Sequence, residues 1–174
     1  MRRILPWPVA RLPSRRCSSA PIRSDGRYTG WRILQHEADR AFALLGALNP
    51  EQVKQAVVAD AVDNSVFAGK GQQDRIGAPP RGIAASALDP VQRQLLIAVI
   101  DEYLGDASDE AAARQRAAIA KDGPDKLHFA WWGPTGDPRA RYMFRVEGPS
   151  IIMTMCAKAR PMAASITSTR SRAI

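Results

Sequence analysis

The sequence predicts an α+β protein in which about four helices are followed by a C-terminal antiparallel β-hairpin, with disordered ends. Three observations predict it. Apolar residues recur at three-to-four spacing through the middle of the chain. The pattern then shifts to aromatic and branched runs broken by turn formers between Lys126 and Gly148. Both ends lose periodicity and are rich in arginine. With 174 residues, 45% of them hydrophobic and 24% charged, the chain is long enough for one domain with its own core.

The first helix is predicted from Ile33 to Leu48, where Leu34, Ala38, Ala41, Phe42, Leu44, Leu45 and Leu48 fall on one face. Asn49 is placed to cap the next helix, and Pro50 suits its first turn. Val53, Ala56 and Val57 continue one apolar face, so the two helices are expected to pack as a hairpin. Glycine, proline and polar residues dominate from Ala68 to Ser86, which predicts a long loop. Its Gly69, Lys70 and Gly71 lack the spacing and the preceding strand of a phosphate-binding loop. Asp89 and Pro90 repeat the cap-and-proline signal for a third helix, whose Leu95, Leu96, Val99, Ile100, Tyr103 and Leu104 form a broad buried stripe ending at Gly105. Ser108 caps a fourth helix with acids at its start and Lys121 near its end, and Gly123 and Pro124 stop it. KLHFAWWG and RYMFRVEG, joined by PTGDPRA, then predict the hairpin.

A pI near 10.2 and a formal charge of +8 suggest an anionic partner, yet the distribution argues against one. Ten of the 25 basic residues lie in residues 1–24 and 148–174, which contain no acid. The other 15 share residues 25–147 with all 17 acidic residues. The body is therefore slightly acidic, and no nucleic-acid partner is expected. No apolar run approaches the ~18 residues of a membrane-spanning helix. Pro6, Pro8, Pro13 and Pro21 break any amphipathic targeting helix at the amino end, so localisation stays open. Cys17 and Cys156 are the only cysteines, and their surroundings match no metal-ligand spacing.

LLGALNPEQVKQAVV, DPVQRQLLIAVIDEYLG, DKLHFAWWGP and RYMFRVEGPSII, in that order, resemble the C-terminal part of the bacterial domain of unknown function 3500 family. The resemblance covers about Gly26 to Ile152. It rests on an HFAW-like strand followed by a YYR-x-x-GP-like one, carried by His128, Phe129, Ala130, Trp131, Tyr142, Arg145, Gly148 and Pro149. Phe144 stands where the family often has a second tyrosine. It implies a fold and a family name, but no established activity.

After Ile152 the family pattern would continue into a YD pair and a HIHS-x-x-RD-like stretch, whereas this chain reads MTMCAKARPMAASITSTRSRAI. Read one base back, the codons of Ile152 through Thr154 permit YD, and those from Ser165 through Ala173 permit HIHS-x-x-RD. At the front, Ser14 through Arg23 permit TP-x-FFGANP. The expected organisation is therefore residues 1–24 disordered and out of frame, 25–152 a single α+β domain fragment, and 153–174 a disordered out-of-frame tail.

Three residues are candidates for chemistry. His128 is a candidate metal ligand and catalytic group, although the ordinary role of a histidine in an aromatic strand is packing. Arg145 and Glu147 share a strand face and could form an anion or substrate site; the plainer expectation is an exposed ion pair. Trp131 and Trp132 should face opposite sides of the sheet, while Glu37, Asp39, Asp101 and Glu102 are expected on solvated helix faces. Two function classes follow. One is a metal-assisted enzyme in intact family members, where the resemblance implies a histidine-rich late strand and a divalent metal. The other is a binding or structural protein that uses its aromatic sheet. No activity is expected of the chain as written, which has only His36 and His128.

Overall fold

The computed structural model describes residues 35–62 and 79–157. Helices α1 (Gln35–Ala47) and α2 (Pro50–Ala56) lead into strand β1 (Val57–Ala59). Strand β2 (Ile83–Ala84) and a 3-10 turn precede α3 (Pro90–Leu104) and α4 (Asp109–Asp122). Strands β3 (His128–Trp132), β4 (Tyr142–Glu147) and β5 (Ile152–Ala157) follow. The elements make an α+β fold with four helices and one mixed five-stranded sheet.

The helix starts obey local capping chemistry. Asn49 and Asp89 each accept from the backbone N–H three residues on, at Gln52 and Gln92. Each of those glutamines returns a bond through Oε1 to the N–H of its cap residue. The two glutamines also bond each other: Gln52 Nε2 donates to Gln92 Oε1 at 2.9 Å, and Gln92 Nε2 to Gln52 Oε1 at 2.8 Å. Gln92 Nε2 reaches the Ala47 carbonyl and Gln52 Nε2 the Ala87 carbonyl. The starts of α2 and α3 are thus locked to each other and to the end of α1. Ser108 caps α4, and Gly123, at φ 93°, closes it.

The sheet corrects the simple hairpin expected from the sequence. The β3–β4 hairpin is present, with His128 opposite Glu147 and Trp132 opposite Met143. On the other side of β3, however, β2 pairs antiparallel with its first half and β1 pairs parallel with its second. Val57 therefore does not extend α2: the helix ends at Ala56 and the chain enters a strand. The end of the expected 68–86 loop forms β2 and the 3-10 turn Ala85–Ala87; Gly69, Lys70 and Gly71 lie outside the described residues. Gly82, at φ 88°, lets the chain enter β2 against the Phe129 carbonyl, where any Cβ would collide with backbone.

The expected end of the body at Ile152 is also corrected. Ile152–Ala157 form β5, in continuous antiparallel register with β4, and Met153 is buried in the core. Ile151 is buried as well. Residues 1–34 and 158–174 lie outside the described residues.

Period-two alternation divides the sheet into two faces. Phe129, Trp131, Tyr142, Phe144, Val146 and Met153 join the helical stripes of α1 and α3 in the main core. Trp131 stacks on Tyr142 at 5.0 Å, and Phe42 of α1 meets both rings edge-on at 4.9 Å. The Trp131 indole donates to the Gly133 carbonyl. Ala130, Trp132 and Met143 form a second buried cluster on the opposite face, beside Val58, Val62 and Cys156. The two tryptophans do face opposite ways, and both are inside.

Candidate functional site

The three candidates lie on one strip of the sheet face turned away from the helices. His128 begins β3 and stands directly across from Glu147, while Arg145 stands across from Ala130 on one side and Thr154 on the other. Two-residue spacing along β4 puts Arg145 and Glu147 on the same face. Their side chains meet, with Arg145 Nη1 donating to Glu147 Oε2 at 3.3 Å. That is longer than the 2.7–2.9 Å of a tight charge-assisted bond.

The pair is not the exposed surface pair expected from the sequence. Its side chains retain only 13% and 15% of their exposure, on a strand flanked by β3 and β5. A half-buried ion pair is screened less than a surface one and costs more to desolvate. The guanidinium fork also matches the geometry of carboxylate and phosphate groups.

His128 has a defined tautomer. Its Nδ1 lies 3.1 Å from the Lys126 carbonyl oxygen; since a carbonyl only accepts, Nδ1 carries the proton. In the neutral ring Nε2 is then the nitrogen with the lone pair. A backbone carbonyl that orients one ring nitrogen is a common way of presenting the other to a ligand.

Metal binding needs more than this strip provides. His128 and Glu147 are ligand types, yet among the described residues no group of three or more His, Cys, Asp or Glu could hold a metal ion. The described residues therefore do not fit the divalent metal that the family resemblance implies. Among the described residues, the aromatic side chains of the sheet do not form an exposed platform either: Phe129, Trp131, Trp132, Tyr142 and Phe144 are all buried.

Sequence reasoning missed the β5 side of this strip. Ile152, Thr154 and Cys156 pair with Glu147, Arg145 and Met143 and complete the face. The alternation in IMTMCA was the available signal; placing the frame boundary at Ile152 obscured it. Glu37 also departs from its expected solvated position. It is buried in α1, and burial, reinforced by Asp106 and Glu102, pushes its carboxyl above the usual range against a backbone hydrogen bond and His36. Asp39 is exposed as expected. Asp101 and Glu102 are half-buried, with Asp101 accepting from Arg116 Nε at 2.7 Å.

No helix among the described residues is long and apolar enough to cross a membrane. No curated protein matches the chain. No solved structure matches it. A family model described as Protein of unknown function (DUF3500) matches residues 13–164, a span that takes in the whole described body and enters both segments expected to be out of frame. The chain belongs to that DUF3500 family.

Proposed function

We propose that this member of the family binds a small anionic ligand, carrying a carboxylate or phosphate, at the polar strip of His128, Arg145 and Glu147, and that the chain as written catalyses nothing. The supporting observation is the register, which sets His128 opposite Glu147 and holds Arg145 against Glu147 in a half-buried pair. Arg145 is the anion contact. Glu147 positions its guanidinium, and His128 offers Nε2 beside them. Inorganic phosphate and acetate are the probes, titrated into the full chain while the His128 imidazole resonances are followed. Saturable shifts are expected, with affinity reduced about tenfold or more in Arg145→Met, the loss of one charge-assisted contact. Shifts that never saturate, or an Arg145→Met variant that binds as well as the parent, would overturn the assignment.

Metal-assisted chemistry in an intact family member is a second reading, favoured by the Lys126 carbonyl that fixes the His128 tautomer. It requires ligands beyond those described, and no catalytic step is assigned through such a metal.

A further inference from the structure

We propose that β5 is a self-association edge, where two copies of this chain pair their Ile152–Ala157 strands antiparallel about a two-fold axis and join their sheets into one. The two edges of the sheet are built differently. At one, β3 is flanked by β1, three residues long, and β2, two residues long, and the β1 register shifts between Val57 and Ala59. Short strands and irregular register are devices that blunt an edge against further pairing.

At the other edge, β5 keeps six consecutive residues in register with β4, without a shift. It contains no proline and no charge. Among the described residues β5 is the last strand of the sheet order. In an antiparallel strand, alternate backbone N–H and C=O groups point away from the existing neighbour. Those of β5 therefore form a regular template for another strand.

The occupant follows from the strand's own chemistry. A two-fold axis sets a strand against its own copy, so charges of one sign on it would be brought close to each other; β5 has none. An axis perpendicular to the sheet also keeps faces in common. Met153 and Met155 of both copies stay on the helix-covered side, and Ile152, Thr154 and Cys156 on the other. Ile152, 41% exposed and one of two exposed large hydrophobic residues among those described, gains cover from the partner strand. Such an isologous contact closes at two copies and does not propagate.

Sedimentation equilibrium and backbone hydrogen exchange on the full chain test the proposal together. The mass should rise from 19.0 kDa toward twice that value over a range of about 1–100 µM, with every β5 amide protected in the dimer and alternate ones exchanging on dilution. Ile152→Lys replaces the exposed apolar side chain that the partner strand would cover with a charge that can pair with Glu147 opposite it in its own chain; it should stay monomeric with an unchanged circular dichroism spectrum. A monomer with all β5 amides protected would mean that another part of the chain occupies the edge. A monomer with alternate amides exchanging would mean that the edge stays open. Either result overturns self-pairing, as does an Ile152→Lys variant that still dimerises.

Discussion

Glu37 marks the limit of what residue type alone conveys. Its place in α1 is visible in the sequence, but its burial against the end of α3 depends on how two helices cross. Burial favours the neutral carboxyl, so the folded state holds its proton more tightly than the unfolded chain does. The associated stability is fully present below the ordinary value of 4.5 and is lost as pH rises through the raised folded-state value. Glu37→Gln keeps the shape and removes the ionisation. Its thermal midpoint relative to the parent should therefore be higher at pH 7 than at pH 4, by a few degrees at most (~1–4 °C). An equal difference at both pH values would mean that Glu37 titrates normally. The same limit governed Arg145 and Glu147: alternation placed them on one face, whereas their half-burial depends on the packing around them and carries no local signal.

At the scale of the element, the helices were legible because their boundaries are local chemistry. Asn49-Pro50 and Asp89-Pro90 announce α2 and α3 in the sequence, and both caps form as expected. The reciprocal glutamine pair was not legible, since Gln52 and Gln92 are forty residues apart and each looks like an ordinary third position of a capping box. Their coupling predicts non-additive mutations. Gln92→Ala leaves buried groups without partners and should cost about 2–3 kcal/mol, and Gln52→Ala less, because its site is more exposed. In a double-mutant cycle by denaturant unfolding, the pair should fall short of the summed single losses by about 0.5–1.5 kcal/mol. Strict additivity would mean that the two amides act only within their own caps. The short strands β1 and β2 escaped notice for a related reason: two or three residues carry no readable period, and only the presence of β3 makes them strands.

For the whole molecule, charge distribution was more legible than sheet topology. Parallel pairing of β1 with β3 joins residues more than seventy positions apart, and no local pattern encodes it. The segregation of charge is plain in the chain itself: residues 25–147 hold 15 basic and 17 acidic residues, and the basic surplus lies in the ends. We propose an out-of-frame origin for that surplus, in residues 1–24 and, with the boundary moved from residue 153 by β5, in residues 158–174. β5 moves the point at which the body can be trimmed from Ile152 to Ala157, because cutting at Ile152 would remove the strand that flanks Arg145. A chain of residues 25–157 should therefore keep the circular dichroism of the parent. Any binding of the full chain to duplex DNA or RNA should be steeply salt-dependent, as expected when exposed arginines displace counterions. In the trimmed chain it should vanish at 150 mM salt, because the remaining surface is near neutral. Salt-sensitive binding that survives trimming would place the nucleic-acid contact on the folded body, with the guanidinium of Arg145 as the first group to substitute.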